Sequence, residues 1–495
     1  VKILGTIDIL VMILYFVILL YIGYKIMRDK KGEGEAESFL AADRNMNLLQ
    51  TTASTAATDL GGGFSIAMGG LGFTLGISGS WLIAVSGLSA VFSSFLLVPK
   101  VKKWADKTKG LTIGDLFTQR FDEKTGLIAA LLIGVSWFAF VGGQIIAAGK
   151  LVAATMGFDL TTAIILAGAV VLAYTVMGGL KAVIITDVFQ MVILFVGIIF
   201  IMVPIGLVKV GGWSGMVEQF SASAETANLL NWGAVGWKTA IGWFLSIFPV
   251  WFISIAAFQR IVAARDEGTA TKGIFLTGIP IEWPLFAIGT TLVGMFARML
   301  MPGLADAELA TPNMILTLLP VGISGIVVAA YIAAVMSTAD SCLMGPVAIF
   351  VNDVYKKLIN PEANDRQLVK VGRYATLVLG VLAIYLAYSV PSILSIVLFA
   401  YTFGAAGLFF PMLGLLFWKR TTASGAFFSI ILGGSAAIIW GPILKNPLGF
   451  SESYLGWIVS FLALVIVSLL TEHSVDEDID TFFPDDPTFS NIIAK

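Results

Sequence analysis

One cysteine, one histidine and few charges mark this chain of 495 residues, in which Lys and Arg number 30, Asp and Glu 32, and charged residues make up only 13%. The lone Cys342 makes no internal disulfide, and the lone His473 stands beyond the last apolar run, outside the body of the chain. Neither a Cys/His metal site nor a Cys–His or Ser–His nucleophilic couple can be assembled from them. A net charge of -2 leaves no basic footprint for nucleic acid, and the acidic stretch SVDEDID is short and terminal. No polar segment is long enough for a catalytic or signalling domain. What is abundant is apolar: 58% of residues are hydrophobic and the mean hydropathy is +0.92. That is the composition of an all-α protein that crosses a membrane many times.

Apolar runs of about 18 to 30 residues, each enough to cross the hydrocarbon core, recur about thirteen times. They centre near residues 15, 62, 90, 141, 168, 195, 244, 287, 332, 379, 405, 431 and 463. The first, from about Ile3 to Met27, is too long for a signal-peptide core and reads as a span. Basic residues follow alternate spans: Arg28, Lys30, Lys31 and Arg44; the Lys100–Lys124 group; Lys181; Arg260, Arg265 and Lys272; Lys356 to Arg373; Lys419 and Arg420. By the positive-inside rule this puts the amino terminus outside and the carboxyl terminus, with an acidic tail from 471 to 495, in the cytoplasm of a multi-pass cell-membrane protein. The outer loop from Gly211 to Asn231 is amphipathic and reads as an interfacial lid.

Two spans carry helix breakers. Thr51 to Phe73 contains Asp59 and the triplet Gly61, Gly62 and Gly63; the span near 244 contains Pro249. Five spans separate them, as expected of two inverted five-helix repeats meeting at a midplane site, here about 48–208 and about 233–418. Additional helices at 3–27, 422–440 and 455–471 complete one transmembrane domain over 1–470. Broken backbone in a membrane is tolerated where its freed carbonyls line a cavity or are buried in protein. A carboxylate at the same point costs about 2.5 to 3.5 kcal/mol unless it finds a partner or water. In the ninth span Ser337, Thr338, Asp340 and Ser341 crowd hydroxyls and a carboxylate into little more than one turn. Serine and threonine in such helices are more often packing residues, and the aspartate beside them favours a binding site.

Four motifs, SFLAADRNMN, GGLKAVIITDVFQ, AAVMSTADSCL and FPMLGLLFWKRTTASGA, together resemble the sodium:solute symporter family, and the resemblance runs from about Ile3 to Leu470. It implies a leucine-transporter-type fold and inward sodium movement coupled to uptake of a small solute, with sodium as the coupling ion. It maps a sodium site to the carbonyls of Ala57, Leu60 and Ala334 and the hydroxyls of Ser337 and Thr338. A second sodium site, present in some members, maps to Asp187, Ser337, Asp340 and Ser341; sialic acid symporters have serine where Asp340 stands. Thr186 and Asp187 also suit a helix N-cap. For the substrate the resemblance places Asp59, Phe64, Phe140 and Gln144 at a central cavity, with Ser254 near a choline-contact position and Tyr401 or Phe403 as a lid.

At the Phe140 position other members carry arginine, asparagine or tryptophan, and an aromatic face there can hold a cation. ATDLGGG is similar to the choline-transporter ATWVGGG, although Asp59 replaces an aromatic contact. Asp59 has three readings: a cap on the half-helix after the glycines, an aid to sodium entry, or a partner for a substrate ammonium. Glu282, between Pro280 and Pro284, reads as a proton site or the partner of a basic residue. Trp137, Phe138, Trp243, Trp251 and Tyr401 read as lipid-facing or packing aromatics.

The function expected is sodium symport of a zwitterionic or cationic amine such as proline, betaine or a choline-like molecule, with monocarboxylate, pantothenate or sugar as alternatives. The rivals are a sensor or scaffold on the same fold, and a channel. One sodium driven by about 100 mV and a tenfold gradient supplies about 2.3 plus about 1.4 kcal/mol, enough for several-hundred-fold accumulation of a neutral solute.

Overall fold

A computed structural model describes residues 3–28, 44–110, 112–175, 180–390, 392–472 and 482. The first residues of SFLAADRNMN, Gly178 and Gly179 of the second motif, and His473 lie outside the described residues, as does the side chain of Asp340. Among the described residues every regular element is a helix. This is what the bilayer dictates for a chain of this composition, since a helix satisfies its own backbone hydrogen bonds.

The principal helices are α1 (Thr6–Arg28), α2 (Leu48–Leu60), α3 (Gly62–Leu75), α4 (Trp81–Leu96), α5 (Glu123–Met156), α6 (Leu160–Thr175) and α7 (Leu180–Phe195). They continue with α8 (Trp237–Ile247), α9 (Val250–Ile253), α10 (Ile255–Ala263), α11 (Glu267–Leu276), α12 (Ala287–Leu300), α13 (Ile323–Ile349), α14 (Asp365–Ser389), α15 (Ile393–Phe417), α16 (Ala423–Ile438) and α17 (Glu452–Leu470). Ten helical stretches among the described residues are long and apolar enough to cross a membrane, and the shorter apolar segments Thr6–Ile18 and Leu160–Leu172 accompany them. The expected second and third spans merge in this reckoning, because α3, the tight turn Gly76–Ser80 and α4 form one continuous stretch, Gly63–Leu96.

Both interrupted spans are interrupted where the sequence has its breakers. α2 opens on a capping box, Asn47 with Gln50, and stops at Gly61, whose φ of 37° and ψ of 163° favour glycine. A Cβ there would also sit 3.1 Å from the Thr338 hydroxyl and 3.3 Å from Gln144 Oε1. The second interruption is wider than Pro249 alone. α8 ends before Phe248 and Pro249, α9 lasts four residues, and Ser254 is extended (φ -65°, ψ 120°) with its hydroxyl capping the Ala257 N–H at 3.1 Å. A third irregular stretch, 277–286, is bent at the extended residues Ile279 and Trp283, each preceding a proline.

Around these breaks the long α5 packs against α13 and α15, while α3 crosses α12 so closely that a Cβ on Gly72 would lie 2.1 Å from the Thr291 carbonyl. Two charged pins hold the frame. Asp8 of α1 accepts the N–H groups of Gly322 (2.7 Å) and Gly325 (3.0 Å) and the Ser324 hydroxyl (2.7 Å), closing the amino end of α13. Lys150 of α5, buried, pairs with Asp306 at 2.6 Å and Glu308 at 2.7 Å, and Glu308 in turn accepts the N–H groups of Ile393 and Leu394 at the start of α15. The segment 211–231 forms a short helix, Gly212–Ser221, which buries Met216 and Phe220. The segment's end lies against the Gly76–Ser80 turn, with the Leu229 carbonyl 2.0 Å from where a Gly76 Cβ would be.

Candidate functional site

The break at Gly61 faces α13. Thr338 donates to the Ala334 carbonyl at 2.8 Å and reaches the Ala57 carbonyl at 3.4 Å; Ala57 also takes the Gly61 N–H at 3.1 Å. Leu60 ends α2, where helix carbonyls lose their intrahelical partners. Ala57, Leu60, Ala334 and Thr338 are all buried, so hydroxyl and carbonyl oxygens crowd a dry place. The adjacent Ser337 turns elsewhere and donates a short hydrogen bond to Asp187 Oδ1.

Asp187 sits inside α7, seven residues past Leu180, and not at its start, so the N-cap reading falls. Its other oxygen accepts Ser54 at 2.6 Å and Arg260 Nη2 at 3.3 Å. Arg260 is fully buried within α10 and extends to Thr58 Oγ1 at 2.8 Å, Ser54 Oγ at 3.2 Å and Ser341 Oγ at 3.5 Å. The expected second sodium set thus does come together as Asp187, Ser337 and Ser341, and a guanidinium stands among them. The sequence reading had put Arg260 in the loop after the span. In the structure it belongs to the span's last turns and ties α2, α7, α10 and α13 together.

Asp59 points away from α13. It accepts from Ser86 at 3.1 Å, and Ser86 in turn accepts the Trp251 indole N–H at 2.9 Å. The cap reading is corrected here, because the N-cap of α3 is Gly61 and no side chain caps that helix. Asp59 lines a small cavity with Thr55, Thr58, Trp137, Trp251, Ser254, Ala256 and Ala257. Glu282 lies behind it, fully buried, with its carboxyl against that of Asp59. No basic side chain bonds to Glu282 among the described residues, so its reading as the partner of a basic residue also falls.

On the other side of the break, Phe140 stacks on Tyr401 (centroids 5.2 Å apart, 26° between planes), Phe64 meets Tyr401 edge-on at 6.3 Å, and Trp137 leans on Phe140 at 5.2 Å. Gln144, one turn along α5 from Phe140, accepts the Gly63 N–H at 3.2 Å; its Nε2 is buried without a partner. Phe403 is buried as well but stacks on Phe399, away from this cluster. Trp137, Trp243, Trp251 and Tyr401 are buried rather than lipid-facing, and two of them, Trp137 and Trp251, line the cavity that holds Asp59. Sequence reasoning missed Ser54, Thr58 and Ser86 and gave Arg260 the wrong place. A basic residue still within the apolar run Trp237–Ala263 was the available signal for Arg260.

Comparison with known proteins bears on this arrangement. The chain is 27% identical over 475 residues to the osmoregulated proline transporter of Bacillus subtilis, covering 93% of this chain and 94% of that one. It is 28% identical over 482 residues to a sodium/proline symporter of Staphylococcus aureus, covering 92% and 91%. Among solved structures it is similar to a Na+-coupled sialic acid symporter, with a TM-score of 0.75 at 22% identity over 95% of this chain and 99% of the other. A nucleobase-cation-symport-1 family transporter gives a TM-score of 0.56 at 14% identity, over 90% and 98%. These likenesses establish a leucine-transporter-type fold. The model of the sodium:solute symporter family, whose members are transporters and not enzymes, matches residues 39–433. With its interrupted helices, buried oxygens and helical architecture matched over that length, this chain belongs to the sodium:solute symporter family.

Proposed function

We propose that this chain takes up a small organic amine, zwitterionic or cationic, together with sodium, by alternating access around the two interrupted spans. The observation that carries the reading is the placing of Thr338 against the carbonyls of Ala57 and Ala334 at the Gly61 break. Sodium requires oxygen ligands, and unwound backbone in a membrane is where a protein supplies them. In this reading Ala57, Leu60, Ala334, Thr338 and, by turning from Asp187, Ser337 hold the ion. Asp187, Ser337, Asp340 and Ser341 are the second set, which a sodium would share with Arg260. Asp59, Phe64, Phe140, Gln144, Ser254 and Tyr401 surround the solute. The same reading has thirteen spans in a five-plus-five inverted repeat, about 48–208 and about 233–418, with the amino terminus outside and the tail from 471 cytoplasmic.

Sodium acts by population shift: it must bind the outward-open state better than the inward one to favour solute entry from outside. Proteoliposomes given a panel of labelled solutes (proline, betaine, choline, a monocarboxylate, a sugar), with and without a sodium gradient, test this. Uptake of an amine that rises with sodium and with an inside-negative potential is expected; uptake indifferent to both overturns the proposal.

A further inference from the structure

Three helices supply the aromatic cluster, and one short turn touches all three. Phe64 comes from α3, Phe140 from α5 and Tyr401 from α15. The turn Ala307–Leu309, with Asp306 before it, lies against each of them. A Cβ on Gly70 of α3 would come 3.2 Å from the Glu308 backbone, and Lys150 of α5 pairs with Asp306 and Glu308. Glu308 then accepts the N–H groups of Ile393 (2.9 Å) and Leu394 (3.0 Å) and the Ser392 hydroxyl (3.0 Å) at the start of α15. Counted along each helix, these contacts stand about 9 to 15 Å beyond the cluster, toward the end where α5 finishes and α15 begins. Between clamp and cluster the two helices are shut against each other, since a Cβ on Gly143 of α5 would lie 2.9 Å from Val397 Cγ2 of α15.

This clamp differs from the Asp8 pin in what its loss leaves behind. α13 begins at Gly322, which has no capping side chain, so its first N–H groups depend on Asp8. α15 begins at Ser392, whose hydroxyl accepts the Ser395 N–H at 3.2 Å, so this helix keeps a cap of its own when Glu308 leaves. The acids also stand at the edge of the protein, with the side chain of Asp306 41% exposed and that of Glu308 11%. Charges paired at such an edge separate at lower cost than fully buried ones, because water receives them. We infer that Lys150 and Glu308 are positioning residues of the transport cycle. Their link holds α15 against α5, and with it Tyr401 over Phe140; its release lets that seam part toward the end where α5 finishes. This inference rests on the proposed alternating access, in which that end is the outer one.

A thiol placed in the seam reports on it. The one native cysteine is removed by Cys342→Ser, and a single new one is introduced by Val397→Cys or, as a second reporter, by Ala147→Cys, both at buried positions. Each is labelled with a bulky impermeant maleimide in right-side-out vesicles at fixed sodium, so that no solute is needed. Glu308→Gln and Lys150→Met are each expected to raise the labelling rate about tenfold, while Lys150→Arg, which keeps the charge, stays near the parent. Asp8→Asn, whose pin lies elsewhere, is expected to change nothing, and unfolding temperatures show that each variant is folded. Rates unchanged in both Glu308→Gln and Lys150→Met, or raised as much by Asp8→Asn, overturn the inference. So does equal or greater acceleration in inside-out vesicles, the mark of a structure that is merely loosened. Absence of sodium-dependent uptake of the whole solute panel by the parent in proteoliposomes sinks the symport reading instead.

Discussion

Two acids meet α2 near its break, Asp187 from α7 and Asp59 from its own last turn, and they are treated in opposite ways. Asp187 is met by an arginine and two hydroxyls, so that all its charge is answered by groups of the chain itself. Asp59 is met by one hydroxyl and a second acid. The first arrangement is complete and holds four helices in register. The second is incomplete and, in a membrane, incompleteness of this kind is characteristic of a place that receives something. Asp187 is fully buried, whereas Asp59 is partly exposed to a cavity.

Breaking the complete arrangement should have the largest effect. Arg260→Gln leaves Asp187 buried without its counter-charge and is expected to cost about 3 to 5 kcal/mol. It would be seen as a loss of folded protein in detergent and a lower unfolding temperature. Adding Asp187→Asn should recover part of that loss, and a double variant as unstable as the sum of the single ones would show that the pair is not coupled. The incomplete arrangement should behave the other way: Glu282→Gln replaces one of two carboxyls that crowd each other, so its unfolding temperature is expected to be unchanged or higher than the parent's.

Between these extremes stands Thr338→Val, which deletes the hydroxyl over Ala57 while keeping the shape. Sodium affinity, measured as the sodium concentration for half-maximal stabilisation, should fall about tenfold, equivalent to about 1.4 kcal/mol, with little change in stability without sodium. The smallest effect is expected of Asp8→Asn at the amino end of α13, far from both acids. It trades a charged cap for a neutral one at about 1 kcal/mol or less, and sodium affinity should not move. A large shift in sodium affinity there would mean that the helix end and the ion site are not independent.

The parts of this picture that were legible in the sequence are those with a local signature. Gly61 to Gly63 in an apolar run marked the break, and Thr338 close to Asp340 marked the facing turn, because backbone freedom and clustered hydroxyls are visible in a few residues. Asp187 was given a second reading as a cap because helix starts leave only weak local signals, and α7 begins further upstream. Arg260 was misplaced for a related reason: a basic residue in the last turns of a span and one just beyond it look alike in a string. Its partner Asp187 is 73 positions away, and nothing local announces the pairing. The Asp59–Glu282 contact was hidden for a stronger reason. Sequence reasoning matches opposite charges, and here two acids meet.

Ser337 and Thr338 are consecutive residues of α13, and they face different assemblies: Ser337 the Asp187–Arg260 lattice, Thr338 the open end of α2. A single turn of helix therefore works as a lever with a load on each arm. A cation seated at Thr338 would bear on the same turn of backbone that Ser337 ties to the Asp187–Arg260 lattice.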